Sequence, residues 1–318
     1  MYKVGCWGAG TYAKESIAQM VSEGITIEFF VDSDTKKSGG EFLGYPIISP
    51  VDLNEKISGI DILVITTGYR ESIFLQCLRM GISRSKIKCW CNESQRMLAF
   101  EETYLNKIYS LNSEETLLKE KFADKANGFY VDIGSFHPFR FSNTYWAYTR
   151  GWNGMNIEPN MENFELFKVF RPRDINIQCG ISNVEGVMKY YRFEEPALNT
   201  FDAKCAQFYE NIVNCKVKEI VDVQVRRLDN ILREKGITKI DFLDIDVEGA
   251  EMNVLKSIDF NVDIDCILLE QDDCTLPGQG TGSLQDILNS EQNRFLNERG
   301  YEATNKCGVT VMYEKRKG

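Results

Sequence analysis

Residues 129–160 read FYVDIGSFHPFRFSNTYWAYTRGWNGMNIEPN, and this stretch decides the fold. Tyr130-Val131-Asp132-Ile133-Gly134 is an apolar run ending in an acid and a glycine, as a buried strand entering a tight turn would. Residues 142–152 can form a helix, residues 154–157 a second strand, and Glu158 stands at its tip. Strand, helix and strand imply a parallel pair with a right-handed crossover. Open α/β sheets bind ligands outside the carboxyl ends of their strands. Acidic strand tips there suit ribose hydroxyls and repel phosphate. S-adenosylmethionine, a nucleoside with a positive sulfonium and no phosphate, meets that requirement.

The same alternation continues downstream. A helix is expected over residues 161–170, a strand over 174–179 ending at Gly180, and further strands over 187–193 and 221–225. A strand over 240–245 carries Asp244 and Asp246 near its tip, and one over 266–269 is tipped by Glu270. A helix over 284–299 and a closing hairpin complete a second domain, residues 127–318.

Upstream, residues 1–91 read as a smaller Rossmann-like parallel-sheet domain. Its first strand runs into Gly8-Ala9-Gly10-Thr11-Tyr12-Ala13, a GxGxxA turn, and Asp32 follows one strand later. That is the dinucleotide fingerprint in its strand–turn–helix context, although glycines also serve tight turns and close packing. It keeps open a nicotinamide-dependent oxidoreductase, or a non-catalytic nucleotide-sugar-binding protein. Residues 92–126, rich in Glu, Lys, Leu and Asn, read as a helical linker and a possible homo-oligomer contact.

The chain has 318 residues and a net charge of −10, which argues against nucleic acid as the main partner. No apolar run reaches membrane-span length, and no signal peptide is read at the start. Ten cysteines lack metal spacing and read as reduced thiols of a cytoplasmic protein.

Several residues are candidates for chemistry. His137, the only histidine, is a candidate general base, its direction restrained by Pro138. Asp246, Glu248 and Glu270 could act as base and hydroxyl acceptors. No dedicated metal motif is present; an ion such as Mg²⁺ would be held by Asp246, Glu270 and Asp272. Asn143 and Thr144 could cap a helix or touch the cofactor. Arg140 could meet a carboxylate of cofactor or substrate. Asn199 and Thr200 could bind acceptor hydroxyls or end a turn. The aromatics Phe139, Phe141, Tyr145, Trp146 and Tyr148 read as core.

VDIG, HPFRFSNTY, RGWNGMNIEP, RPRDINIQCGIS, EPALNTF and IDFLDIDVEGAEMNVL, in this order, resemble the FkbM family of S-adenosylmethionine-dependent methyltransferases. The resemblance implies a seven-stranded class I methyltransferase domain with its last strand antiparallel. It implies that Asp132, Gly134 and Ser135 line the methionine end of the cofactor and that Glu158 accepts from the ribose. It further places Asn160, Gly180, Ile181 and Ser182 near the adenine, and Asp246 and Glu248 at the reacting centre. Asp244 departs from the pattern, standing where many members carry Lys. The first domain, through GAGTYA, FVDSD and LGYPIISPVDL, is similar to the nucleotide-sugar-binding domain of bacterial glycan acetyltransferases. Together these imply an O-methyltransferase acting on a sugar of a surface glycan or its nucleotide-activated precursor.

Overall fold

The computed structural model describes residues 2–104, 108–271 and 287–316. The chain divides into two compact units, residues 1–106 and 107–318.

In the first unit, strands β1 (Lys3–Trp7), β2 (Thr26–Val31), β3 (Glu41–Phe42), β4 (Tyr45–Ile48), β5 (Ile62–Ile65), β6 (Ile87–Cys91) and β7 (Arg96–Leu98) form one sheet. Its order is β3-β4-β2-β1-β5-β6-β7. The five inner strands are parallel, and β3 and β7 pair antiparallel at the edges. Helix Thr11–Ser22 buries Ala13, Ile17 and Met20 against the sheet's apolar cluster. Residues 92–126 are not a continuous helical linker. Arg96, Met97 and Leu98 complete this sheet beside β6, and among the described residues of this stretch only Glu114–Lys121 is α-helical. That helix buries Leu118 in the second unit's core. Local polarity suggested a solvated helix; strand pairing on one side and apolar packing on the other override it.

The second unit contains β8 (Phe129–Ile133), β9 (Asn153–Ile157), β10 (Ile175–Ile177), β11 (Gly180–Ile181), β12 (Gly186–Phe193), β13 (Val217–Arg226), β14 (Lys239–Ile245), β15 (Asp263–Glu270), β16 (Tyr301–Cys307) and β17 (Thr310–Lys315). Its main sheet has seven strands in the order β10-β9-β8-β14-β15-β17-β16. The first five are mutually parallel, and β17 runs antiparallel to both its neighbours. Strands β8, β14 and β15 are almost wholly buried, in keeping with their mostly apolar residues. From β8 the chain builds outward through β9 and β10, then returns to add β14 and β15 on the other side. The switch point therefore lies between β8 and β14, where Asp132 is in register with Asp244. A separate three-stranded sheet, β11-β13-β12, forms the insertion.

The helix expected over residues 142–152 is only Tyr145–Thr149. Ser142 and Thr144 instead spend their hydroxyls on a buried hydrogen-bond network described below. Of the helix expected over 284–299, Glu291–Asn297 lies among the described residues. Eight cysteines among the described residues are free, but Cys205 is disulfide-bonded, so the all-thiol expectation fails there. No helix among the described residues is long and apolar enough to cross a membrane.

Candidate active site

The carboxyl ends of β8, β9, β14 and β15 open into a cavity of about 400 Å³. Its geometry begins at Gly134, which follows β8 with φ +76°. A Cβ there would stand 1.8 Å from the Asp246 carbonyl oxygen. Only glycine lets the two strand ends approach this closely. That approach brings Asp132 and Ser135 beside Asp246, all three on the cavity wall.

The lining is strongly acidic. It includes Glu114, Asp132, Glu158, Glu195, Asp244, Asp246, Glu248 and Glu270, against one basic side chain, Arg140, among the described residues. Glu158 is buried, and its oxygens accept from the backbone N–H of Phe136 at 2.8 Å and of Asn160 at 2.7 Å. Burial pushes its carboxyl up to about 8 despite those two bonds. Asp132 is raised to about 6 by burial, opposed by the Thr144 hydroxyl and the Arg171 guanidinium.

Asp246, Glu248 and Glu270 converge. One ligand-capable oxygen from each lies within 4.8 Å of the other two. Asp246 is open to the cavity, yet the cavity lies deep enough that burial raises its carboxyl above the usual range. A hydrogen bond joins it to Glu270, whose carboxyl is pushed well up by burial and by the charges of Asp246 and Glu248. Two carboxylates so placed share one proton. Glu248 has a left-handed backbone, φ +53°, and its side chain accepts from the Tyr209 hydroxyl. The Thr200 hydroxyl holds the Glu248 carbonyl at 2.6 Å. Asp272, the third oxygen donor expected for a metal, lies outside the described residues.

His137 is not brought to this cavity. It is buried, and its Nδ1 accepts from the N–H groups of Phe139 at 3.1 Å and Arg140 at 3.0 Å. With Nδ1 occupied as an acceptor, the ring proton sits on Nε2, so the imidazole has no vacant basic nitrogen to offer. Burial and the charges of Arg140 and Arg171 lower it to about 3. Its work is to shape the turn after β8; the reading as general base is corrected accordingly.

Of the residues expected at the cofactor, Asp132, Gly134, Ser135, Asn143, Glu158, Gly180 and Ile181 line the cavity; Thr144, Asn160 and Ser182 do not. Thr144 lies behind the wall and donates to Asp132 at 2.7 Å. Asn160 caps helix Met161–Phe170 by accepting from Glu162. Ser182 borders a separate small cavity with Phe201 and Asp202. Among acceptor candidates, Arg140 and Asn199 line the main cavity and Thr200 does not.

Phe136 and Phe141 also line the wall, and Phe141, expected in the core, is 38% exposed. Both carry left-handed backbones, φ +50° and +55°, unusual for bulky residues and typical of functional sites. Their rings stack at 6.0 Å, the Arg140 guanidinium lies 4.4 Å from the Phe141 ring centre, and Arg140 pairs with Glu195 at 3.2 Å. Glu195 belongs to the insertion, so this pair ties two walls of the cavity together. No pattern in the sequence signals it, because aromatic residues next to a strand ordinarily read as core.

In the first unit, Asp32 does not face outward as a ribose reader would. Its Oδ2 accepts from the Ala9 N–H at 3.0 Å and from Lys37 Nζ at 2.8 Å. The carboxylate closes the glycine turn on itself.

A family model described as methyltransferase FkbM domain matches residues 132–303, and one described as C2185-like, N-terminal, matches residues 1–88. Methyltransferase sdnD of Sordaria araneosa is 34% identical over 103 residues, which cover 26% of this chain and 40% of that relative. The chain thus matches less than half of that relative's length. A solved FkbM methyltransferase from Methylobacillus flagellatus is 15% identical with a TM-score of 0.34, covering 98% of this chain and 90% of its own. Perosamine N-acetyltransferase from Caulobacter crescentus is 15% identical with a TM-score of 0.22, covering 49% of this chain and 65% of its own. At these scores the two structural likenesses do not bear on activity.

Proposed function

Since the chain belongs to the FkbM methyltransferase family, we propose that its second unit transfers a methyl group from S-adenosylmethionine to a hydroxyl of a sugar. The acceptor would be a glycan intermediate or a nucleotide-activated precursor. The acidic cavity at the strand ends carries this reading. A wall with eight acidic side chains and, among the described residues, a single guanidinium favours a ligand that is cationic and rich in hydroxyl donors. The sulfonium and ribose of S-adenosylmethionine fit both demands, and Glu158 retains lone pairs for a ribose diol.

S-adenosylmethionine supplies an already activated methyl group. The chain's residues then have two tasks. Asp132, Ser135 and Glu158 hold and orient the cofactor, and alignment of the reacting atoms alone can supply about 7–11 kcal/mol. Asp246 and Glu270, which share one proton, would take up the hydroxyl proton as the new oxygen–carbon bond forms and the methyl–sulfur bond of the sulfonium breaks, leaving a neutral thioether. A positioned general base of this kind contributes roughly 10²- to 10⁴-fold. The closeness of the Asp246, Glu248 and Glu270 oxygens supports a second reading, in which a divalent cation there lowers the hydroxyl pKa. Chelator treatment followed by Mg²⁺ separates the two: only the metal reading predicts loss and restoration.

The same acidity disfavours a diphosphate inside the cavity. A nucleotide-linked acceptor would present its sugar there and keep its phosphates outside. The first unit is proposed to bind a nucleotide sugar, on the resemblance carried by its GAGTYA, FVDSD and LGYPIISPVDL segments. Its self-satisfied Asp32 supports this over a nicotinamide-dependent oxidoreductase. Mass spectrometry of a panel of free sugars and nucleotide sugars, incubated with enzyme and methyl-labelled cofactor, tests the proposal. Label in a sugar product is expected; binding of cofactor with label only in an amine or thiol would refute the hydroxyl assignment.

A further inference from the structure

Arg171, at the end of helix Met161–Phe170, has no solvent exposure at all, which is rare for a charge. Its Nε and one terminal nitrogen donate to the Pro138 carbonyl at 3.2 and 2.6 Å. The same terminal nitrogen donates to Ser142 Oγ at 2.9 Å. The other donates to Thr144 Oγ1 and to the Tyr130 hydroxyl, both at 3.1 Å. Tyr130 in turn donates to Asp174 at 2.5 Å, and Asp174 stands 3.9 Å from the guanidinium. Tyr145 and Tyr148 place their rings 5.0 and 5.2 Å from it.

Three of these contacts, Pro138, Ser142 and Thr144, fall within the segment that follows Gly134. The cavity-lining residues Phe136, Arg140, Phe141 and Asn143 lie in the same segment. Thr144 also relays the contact: its Oγ1, while accepting from Arg171, donates to Asp132 Oδ2 at 2.7 Å. The hydroxyl has one proton, and with Arg171 donating to it that proton points at Asp132.

We propose that Arg171 is a positioning residue of the site. Its guanidinium holds residues 138–144 against the cavity and, through the Thr144 hydroxyl, fixes the Asp132 carboxylate in its ionised, cofactor-facing form. The proposal rests on the reading of this cavity as a cofactor site. A Lys could not replace it, because an ammonium lacks the planar fork that spans Pro138, Ser142, Thr144 and Tyr130 at once.

Among the described residues, Asp132 is faced by the cation Arg171 and by the carboxyl groups of Glu158, Asp174, Asp244 and Asp246. Severing the relay leaves Asp132 among like charges without its donor. The test is the pH dependence of S-adenosylmethionine affinity, measured by calorimetry on the full chain. Thr144→Val removes the relay at nearly constant volume, and Thr144→Ser keeps it. The acid-side loss of affinity should move up by about one pH unit in Thr144→Val, as a carboxylate losing a favourable donor does, and return to its wild-type position in Thr144→Ser. Arg171→Lys should raise the cofactor KM about tenfold or more while kcat at saturation changes little. If Arg171→Lys fails to fold, the Thr144 pair decides alone. A Thr144→Val profile superimposable on wild type would overturn the proposal while leaving the cofactor site standing. A wild-type protein that binds no S-adenosylmethionine at any pH would overturn both.

Discussion

Glu158→Gln examines the ribose assignment at a single functional group. Both carboxylate oxygens already accept one backbone N–H each, from Phe136 and Asn160. Each oxygen keeps a second lone pair, which is what a ribose diol would use. Gln preserves the volume and one accepting oxygen. Its amide nitrogen, however, meets a backbone N–H donor to donor and can no longer accept from the ribose. One charge-assisted hydrogen bond is therefore lost, about 1.5–3 kcal/mol, which corresponds to roughly a tenfold to hundredfold weaker Kd. The titration belongs above pH 8, because burial pushes the Glu158 carboxyl up to about 8. The assay is calorimetry with S-adenosylmethionine and with an analogue lacking the ribose hydroxyls, on wild type and variant. In the wild type the analogue should bind weakly; in Glu158→Gln the gap between the two ligands should narrow by roughly tenfold to hundredfold, the share of the one lost bond. That non-additivity isolates the pair from any general damage to the fold. Equal fold losses for both ligands would refute the reasoning, because the hydroxyls would then not be meeting Glu158.

His137→Ala should lower Tm, since two backbone N–H groups lose their acceptor at about 1–3 kcal/mol for a buried unsatisfied group, while kcat at saturating substrates stays within a few-fold. A hundredfold fall in kcat with unchanged Tm would restore the histidine as base. Asp246→Asn and Glu270→Gln should each cut kcat by about 10²-fold or more, with cofactor affinity nearly kept; full turnover in either variant would remove it from proton transfer. The ligand-free protein should lose stability as pH rises from about 5 to about 8. Asp132, Glu158 and Glu251, the last a buried residue that opens helix Glu251–Leu255 and accepts from the Gly249 N–H, are raised by burial to about 6, 8 and 7 when folded, against about 4 when unfolded. The folded state thus binds more protons across that window, and their stabilisation is complete below the unfolded values and lost through the folded ones. A Tm that climbs over the same range would contradict the burial of these carboxyls.

Much of the catalytic unit was legible because its information is local. Buried strands announce themselves as Val-, Ile- and Leu-rich runs, and Asp132, Glu158, Asp246 and Glu270 mark their ends. The switch point then follows from which strands join the sheet late. What the sequence concealed depends on three-dimensional detail. His137 is the tempting base by chemistry, but a pair of backbone amides claims its Nδ1. Phe141 reads as core because nothing local reports a left-handed backbone. Arg171 sits in a quoted motif, yet its role needs Pro138, Ser142 and Thr144 folded over it. Arg96–Leu98 reads as part of a polar linker and becomes a strand only because β6 offers it an edge.

The central claim is that the acidic cavity of the second unit binds S-adenosylmethionine. Calorimetric titration of the intact protein with S-adenosylmethionine, and separately with NADH and NADPH, tests it directly. The account predicts a single saturable site for S-adenosylmethionine that is weakened by Glu158→Gln, and no binding of either nicotinamide at comparable concentration. Tight binding of NADH, lost on altering Gly10 and indifferent to Glu158, with no heat from S-adenosylmethionine, would contradict it.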